Sequence, residues 1–258
     1  AIYSNGDCIS PEATPSNTGV ILSTGRADDF TNSSSWFNSD PNQSASTSTN
    51  TRGVDNNAQF NAAVGTNTYD ASWLDVDFVP DGNVMTVSFV FASEEYPEYA
   101  GSIYNDMFVV WVNGAPVDLS IGNGDTSVTN VSGINNMNLY VSNTGDQYNT
   151  EMDGFTITMT LTLPVNPGEL NSVRFGIADV TDSNYDSSVL IAADSVQTML
   201  VAGDDAGVEH VQGHQVAKGK AAVDQLGLRV AGGHPLVVGL HGGGFANAEA
   251  AFGGGLVV

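Results

Sequence analysis

Basic residues are the scarcest component of this 258-residue chain. Six Lys and Arg stand against 29 Asp and Glu, which gives a formal net charge of -23. Only 14% of the residues are charged, so the imbalance reflects a shortage of base rather than an excess of acid. Phosphate binding requires clustered Lys and Arg, so we expect no nucleic-acid partner. The same shortage argues against attraction to an anionic membrane surface.

Cysteine, histidine and long apolar runs are also rare. The single cysteine, Cys8, excludes a disulfide within the chain, and residues 1–200 contain no histidine. A zinc site of His and Cys and a Ser-His-Asp triad are therefore excluded within that region. No apolar stretch is long enough to span a membrane. Low Lys and Cys content, with abundant Asn, Thr, Ser and Gly, suits an extracellular bacterial protein.

The composition changes near Leu200 and divides the chain into two predicted parts. Residues 1–200 hold 24 of the 29 acids but only three of the six bases, whereas residues 201–258 are nearly neutral. The second part contains all four histidines and 14 of the 29 glycines. We therefore predict a folded domain over residues 1–200 and a Gly-rich docking or assembly segment over residues 201–258.

Residues 1–200 show the period-2 alternation of β-strands. Apolar and Thr residues alternate throughout residues 155–163, and residues 73–78 alternate in the same way. Residues 84–92 and 107–112 are nearly continuous apolar runs, which is typical of strands covered on both faces. No helical periodicity of useful length occurs before residue 200. The pattern predicts an all-β fold, an antiparallel, jelly-roll-like β-sandwich with a Gly-rich C-terminal tail.

Acidic residues concentrate in two segments that connect predicted strands, with a weaker acidic spot before residue 154. The candidate metal ligands in these places are Glu94, Glu95, Asn105, Asp106, Asp153, Asp179, Asp182 and Asp186. So many carboxylates repel one another, and the region has too few Lys and Arg to neutralise them. Oxygen-only ligands select Ca²⁺, so we predict Ca²⁺ as a structural cofactor that pins the loops.

Other interpretations of these residues stay open. The segments can be solvated acidic loops that bind nothing. Glu94 or Glu95 can pair with Asp106 or Asp186 as the two carboxyl groups of a glycoside hydrolase. A cell-surface adhesin or carbohydrate-binding module would instead expose a shallow groove of aromatic side chains. The candidates for that groove are Trp36, Tyr96, Tyr99 and Tyr148.

Three short motifs resemble a known family. They are GVILSTG at residues 19–25, SEEYPEY at 93–99 with YND at 104–106, and YDSSV at 185–189. Over roughly residues 15–197 the chain is similar to the choice-of-anchor L domain, a bacterial extracellular domain. The resemblance implies a secreted or surface β-rich domain with no established catalytic activity, and hence a protein that is not an enzyme.

Two segments lack a clear strand pattern. Residues 31–51 are polar and low in complexity, which predicts a long surface loop anchored by Trp36 and Phe37. The Gly clusters of the tail are typical of linkers, but residues 235–240 and 256–258 are short, apolar and strand-like. We expect the tail to dock either on its own sandwich or on a neighbouring copy. Residues 1–3 are an alternative strand donor.

The function predicted from these features is structural and extracellular. The chain is expected to be a calcium-stabilised, non-enzymatic protein that self-associates into surface fibres or matrix. Strand donation between copies supplies the mechanism, because an open sheet edge accepts an extra strand through main-chain hydrogen bonds. Glycans are the alternative partners. The four tail histidines are expected to be scattered surface residues.

Overall fold

The computed structural model describes residues 1–31, 47–119 and 126–201, together with the backbone of residues 237–242. The strands are β1 (Ile2–Ser4), β2 (Thr18–Ser23), β3 (Thr68–Phe78), β4 (Val84–Ser93), β5 (Met107–Val112), β6 (Ala115–Val117), β7 (Thr126–Ser127), β8 (Tyr140–Ser142), β9 (Gly154–Thr156), β10 (Met159–Pro164), β11 (Asn171–Val180), β12 (Ser187–Ala192), β13 (Gln197–Met199) and β14 (Val237–Gly242). Two short helices, α1 (Gly6–Ile9) and α2 (Ala58–Val64), and two 3₁₀ turns at Ala27–Phe30 and Met137–Leu139 accompany them. Trp36 and Phe37 lie outside the described residues.

The strands form two antiparallel sheets. The first has the order β1-β2-β12-β4-β9-β8, with β10 and β13 pairing with the first half of β4. The second has the order β14-β3-β11-β5-β6, with β7 beside the start of β5. The chain passes from one sheet to the other between β2 and β3, β3 and β4, β4 and β5, β7 and β8, β10 and β11, β11 and β12, and β13 and β14. The prediction of an all-β sandwich is confirmed.

The main core lies between the two sheets. Leu74, Val76 and Phe78 of β3 point into it, as the alternation predicts, and they meet Phe89 and Phe91 of β4. Smaller clusters cover the outer faces. One includes Val90 and Ala92 of β4 under the N-terminal segment, and the other includes Val109 and Trp111 of β5 under α2. Strands buried on both faces explain the continuous apolar runs of residues 84–92 and 107–112.

Helix α2 is a feature that the sequence pattern missed. The Asn57 side chain caps its start by accepting the N–H groups of Gln59 and Phe60, and Gly65, with a φ of 78°, ends it. Phe60 is fully buried and packs edge-on against Trp111, with ring centroids 4.9 Å apart. Seven residues span only two turns, which is too short for a recognisable helical period.

The predicted single strand over residues 155–163 is wrong, because the structure divides it into β9 and β10. Phe155 belongs to the outer cluster of the first sheet, whereas Leu161 and Leu163 face the main core. Ile157, between the two strands, is 41% exposed. The Thr156 hydroxyl accepts the N–H of Phe91 at 3.1 Å, so a side chain replaces a main-chain partner where the alternation changes phase.

The tail contributes one described strand. Residues 237–242 of β14 pair antiparallel with residues 72–77 of β3 and thereby cover the edge of the second sheet. The strand-like character predicted for residues 235–240 is confirmed for residues 237–240 in this backbone pairing, while residues 235, 236 and 256–258 lie outside the described part. The division of the chain near Leu200 stays a prediction.

Candidate functional site

The predicted acidic segments meet at one end of the sandwich. Strand β4 ends there, immediately before Glu94 and Glu95, and β5 begins there, immediately after Asp106. Strand β11 ends there at Asp179 and Val180, whose partners in β3 are Tyr69 and Thr68. Asp186 precedes β12, which pairs with the end of β4. Antiparallel pairing thus brings strand ends together that are far apart in the chain.

Most of these carboxyl groups are buried. The side chains with no more than 3% exposure at this end are Asp70, Glu94, Glu95, Asp106, Asp179 and Asp186. They are therefore not part of a solvated acidic loop. We call Asp70, Glu95, Asp106, Asp179 and Asp186 the end cluster. Ionised carboxylates in such surroundings require hydrogen-bond donors, protons or cations to offset the loss of hydration.

Two carboxyl groups of the end cluster, Asp106 and Asp179, differ in the hydrogen bonds that they accept. Asp106 accepts the N–H of Val180 at 2.9 Å through Oδ1 and the Ser187 hydroxyl at 2.7 Å through Oδ2. Neither oxygen of Asp179 has a hydrogen-bond partner among the described residues. Burial is the main cause that raises the pKa of Asp179 well above its usual range, and the charge of Asp106 adds to it, whereas the nearby Thr24 hydroxyl lowers it.

A backbone segment closes over the cluster, and we call residues 47–53 the strap. Its main-chain N–H groups at Thr49 and Gly53 donate to Asp186 Oδ1 at 2.9 Å and to Asp70 Oδ1 at 2.7 Å. The Thr51 hydroxyl also lies 2.8 Å from Asp70 Oδ1. Residues 47–51 belong to the predicted surface loop, but these bonds tie them to buried carboxylates rather than leave them free in solvent.

A second group of acids lies beside the end cluster, and we call Glu94, Glu151 and Asp153 the side group. Glu94 accepts both the N–H and the hydroxyl of Thr47, at 3.1 and 2.8 Å. Burial raises the pKa of Glu94 to about 8, although the Thr47 donors lower it and Asp153 and Glu151 raise it further. Burial also raises the pKa of Asp153 to about 6. The structure thus groups Glu94 and Asp153 with each other.

Two other predicted ligands lie at the margin. The half-buried Asn105 uses its Oδ1 to accept the N–H of Thr129 at 2.8 Å. The half-buried Asp182 accepts the N–H of Asn184 at 3.1 Å. The charge of Asp182 nevertheless contributes to the raised pKa values of both Glu95 and Asp106. Of the eight predicted ligands, the structure brings Glu95, Asp106, Asp179 and Asp186 together, with Asp182 nearby.

Burial is the largest cause of every raised pKa in the end cluster. It raises the pKa of Glu95 to about 9, with the charges of Asp106 and Asp182 adding to the effect. It raises the pKa of Asp106 to about 7 against the lowering effects of Ser187, Val180 and the neighbouring Asp179 carboxyl group. It raises the pKa of Asp186 to about 6, again against a lowering effect of the donors from Thr49.

Within the described part of the chain, no Lys or Arg forms an ion pair with a carboxyl group of the end cluster. The ion pairs found there join Arg26 to Asp28 and Asp29, and Arg174 to Asp75 at 2.6 Å. Arg52 is exposed on the strap. Across the described ranges, no three His, Cys, Asp or Glu side chains are already arranged to hold a metal ion. The predicted Ca²⁺ site therefore stays a prediction.

Asp70 is the main residue that the sequence analysis missed. It is the third residue of β3, three residues before the alternating segment at Trp73, and its φ of 45° is left-handed. The Asp179 pairing with Tyr69 explains why it joins the cluster. A polar residue at the start of a strand carries no sequence signal for burial, because only strand pairing sets its neighbours.

The aromatic candidates separate into buried and exposed residues. Tyr96 is fully buried, so its proposed place in an open glycan groove is wrong. Tyr148 packs edge-on against Phe155. Tyr99 is half-exposed and contacts Tyr104 and Tyr185, with ring centroids 5.5 and 5.4 Å apart. Tyr104 and Tyr185 are not among the predicted groove residues.

Comparison with known proteins identifies the family of this fold. No curated protein and no solved structure matches the chain. No helix among the described residues is long and apolar enough to cross a membrane. The choice-of-anchor L domain family matches residues 6–197, which include the whole end cluster and the strap. Since this match covers most of the sequence, the chain belongs to the choice-of-anchor L domain family, and it is an extracellular protein associated with the bacterial surface.

Proposed function

We propose that this chain is a non-enzymatic structural protein of the bacterial surface that self-associates by strand donation. The same proposal assigns Ca²⁺ to the buried carboxylates as a structural cofactor. Three features support it: an edge strand that accepts a tail segment, carboxyl groups that are inaccessible to a substrate, and a local excess of negative charge.

The pairing of β14 with β3 is the observation that carries the proposal. Six residues of the tail extend the second sheet along residues 72–77 of β3, which would otherwise be an open edge. Thr68 and Ala71, earlier in β3, already bond to Asn56 and Val54. An open edge presents a row of unpaired main-chain groups that favours strand addition. The same edge can receive β14 from its own chain or from a neighbour.

The chain length between the sandwich and β14 allows donation to a neighbour. Residues 202–236 separate the last described residue of the sandwich from β14. Thirty-five residues can span up to about 120 Å when extended, since each contributes about 3.3–3.6 Å. A head-to-tail contact whose rotation does not close into a ring repeats without end, so donation of this kind produces a fibre.

The burial of the acidic side chains supports a non-enzymatic role. A glycoside hydrolase requires two carboxyl groups that flank a bound sugar in an open cleft. Glu94, Glu95, Asp106 and Asp186 are all buried, and Glu94 and Asp186 are covered by the strap. A substrate would have to displace that segment before it reached them.

The charge of the end cluster supports the calcium part. Its carboxyl groups have no Lys or Arg partner within the described ranges, and oxygen ligands of this type suit Ca²⁺. Ca²⁺ bound only to the folded state would stabilise it by mass action. The extracellular location provides access to this cation.

Electron microscopy and light scattering of the full chain test the assembly. We expect concentration-dependent oligomers or fibres, and the double substitution of Val238 and Gly239 by Pro should abolish them. Adjacent N–H groups of a strand point in opposite directions, so one of the two prolines must remove a bond to β3. The matched control replaces Ala221 and Ala222 by Pro. A wild-type protein that stays monomeric at every concentration would refute the assembly.

Carbohydrate binding is the second candidate function, and the tyrosine cluster favours it. Tyr99, Tyr104 and Tyr185 form a half-exposed aromatic surface beside the acidic end of the sandwich. Aromatic rings with polar neighbours are suited to the apolar faces and hydroxyl groups of sugars. A glycan array with the wild-type protein and with Tyr99→Ala tests this candidate, and a wild-type array without hits would exclude it for the glycans present.

A further inference from the structure

We infer that the end cluster is a Ca²⁺ site centred on Asp179, with Asp70, Asp106 and Asp186 as its other carboxylates, and that the bound cation locks the strap. This inference rests on the calcium part of the proposed function and names the site. It adds Asp70 to the predicted ligands. It leaves out of the site Glu95, which belongs to the end cluster, together with Glu94, Asn105, Asp153 and Asp182.

The strongest observation is the environment of Asp179. Its side chain is 1% exposed, and no described residue donates a hydrogen bond to either oxygen. A buried carboxylate without partners is strongly disfavoured, so the site requires either a proton or a cation. Both oxygens of Asp179 are therefore available to a ligand that carries positive charge.

Asp70 and Asp186 supply two further buried oxygens with the same property. Each uses Oδ1 to accept N–H groups of the strap, while its Oδ2 has no partner in the described part of the chain. The charges of Asp106, Asp186 and Asp70 all raise the pKa of Asp179, so these groups are close enough to act on it. Three aspartates thus contribute four unpartnered oxygens at this end of the sandwich.

Gly25 leaves the space in which the Asp186 carboxylate lies. A Cβ atom at this position would fall 1.9 Å from Asp186 Oδ2. The backbone of residue 25 therefore approaches the carboxylate more closely than any other residue type allows. Asp186 Oδ2 is held against this backbone although Gly25 gives it no hydrogen bond.

Ca²⁺ fits this set of ligands better than other common metals. The ligands are all oxygens, and Ca²⁺ accepts variable coordination completed by water, whereas Mg²⁺ requires a nearly ideal octahedron. As the side chains stand, no three acidic groups in the described ranges already enclose a common point. Entry of the ion therefore requires rotation of the aspartate side chains towards Asp179.

Locking of the strap by the cation follows from the two aspartates that contact both the strap and the site. Asp70 and Asp186 bind the strap through one oxygen and face the site with the other, so they couple the two. Without a cation, Asp179 holds a proton, and no positive charge at the site draws the carboxylates of Asp70 and Asp186 inward. A bound Ca²⁺ replaces that proton, attracts both carboxylates and thereby holds the strap closed.

Calcium titration and limited proteolysis test the site in the full chain. Trypsin cleavage after Arg52 reports on the strap, because Arg52 is exposed on it and Gly53 donates to Asp70. We expect Ca²⁺ alone to bind in isothermal titration calorimetry, to raise the Tm and to slow this cleavage. Asp179→Asn should weaken Ca²⁺ binding at least about tenfold, because affinity depends on the charge of the ligands, and calcium should no longer slow the cleavage.

Asp81→Asn is the matched control, since Asp81 is exposed in the turn at the opposite end of the sandwich. It should bind Ca²⁺ like the wild type. Asp70→Asn is the second site variant, and it should show the same loss as Asp179→Asn if that variant does not fold. Wild-type binding that persists in both site variants overturns this site but leaves a calcium requirement intact. A wild-type protein that binds no Ca²⁺ overturns both the site and the calcium part of the proposed function. Electron microscopy in chelator tests self-association independently of calcium.

Discussion

Asp106 and Asp179 are neighbouring buried carboxyl groups, and the described hydrogen bonds support only Asp106. Val180 and Ser187 donate to Asp106, whereas no described residue donates to Asp179. Hydrogen bonds to a carboxylate favour its charged form, and burial without donors favours the neutral form. In the absence of cations, the proton at this pair therefore resides on Asp179. A cation can replace that proton, and this competition underlies the first two predictions.

Without calcium, the free energy of unfolding should fall as the pH rises. The pKa of Asp186 is raised to about 6, that of Glu94 to about 8 and that of Glu95 to about 9, all mainly by burial. A folded-state pKa above the unfolded value means that the native state binds more protons between the two values, so the stability is present at low pH and is lost as pH rises. Thermal unfolding in chelator from pH 5 to pH 9 measures this.

The same series in saturating Ca²⁺ should show a much flatter pH dependence, because the cation compensates the charge that deprotonation creates. Stability that increases between pH 5 and pH 9 in chelator would contradict the raised pKa values. Equal slopes with and without Ca²⁺ would contradict a role for the cation at these groups.

Glu94→Gln should stabilise the protein at pH 9 in chelator and have little effect at pH 5. The pKa of Glu94 is raised to about 8 by burial, so the folded protein holds this side chain neutral at low pH and charged at pH 9. The glutamine amide retains an oxygen that can accept from Thr47 and carries no charge. Urea unfolding at both pH values measures the difference, with the exposed Glu98→Gln as the control. A destabilised variant at pH 9 would show that the Glu94 charge is favourable.

Tyr96→Phe should lower the free energy of unfolding by about 1–3 kcal/mol, which is typical of a buried acceptor that loses its donor. The Tyr96 hydroxyl donates to the carbonyl oxygen of Val131. Both residues are fully buried, so water does not replace the lost bond. Chemical denaturation measures the change, and Tyr99→Phe is the control because Tyr99 is half-exposed. Equal stability of the two variants would mean that the buried bond contributes nothing.

Gly25→Ala should destabilise the protein by about 1–3 kcal/mol, as overpacking of a filled site usually does. The new Cβ would lie 1.9 Å from Asp186 Oδ2 and would displace the carboxylate that holds Thr49. We also expect faster trypsin cleavage after Arg52. Gly133→Ala is the matched control, because its Cβ would meet only a Tyr140 ring atom at 3.7 Å. An unchanged cleavage rate in Gly25→Ala would show that Asp186 does not secure the strap.

Sequence pattern predicts the strands well where the alternation reflects one buried and one exposed face. The inward positions of Leu74, Val76 and Phe78 in β3 follow from the period of two. The same rule is wrong at residues 155–163, because the strand changes its phase at Ile157 and pairs with two different parts of β4. The Thr156 hydroxyl accepts the N–H of Phe91 where the phase changes, and the alternation of the sequence does not reveal this bond.

The candidate site shows the same limit. Asp106, Asp179 and Asp186 stand out in the sequence because acids without basic partners are concentrated beside strands. Asp70 does not stand out, since its importance comes from its position beside the end of β11. The strap is equally hidden in a polar, low-complexity segment, because its contribution comes from main-chain N–H groups at Thr49 and Gly53.

The sequence by itself determined the all-β class, the shortage of base and the family motifs, because composition and period-2 alternation are local properties of the chain. Only the tertiary structure decided which carboxyl groups share one environment. Asp70 and Asp179 are 109 positions apart and become neighbours through the antiparallel pairing of β3 with β11. Burial at that strand end then separates Asp106, which has donors, from Asp179, for which the described residues supply none. Desolvation and strand pairing are properties of the folded chain, and they turn an acidic composition into a candidate cation site.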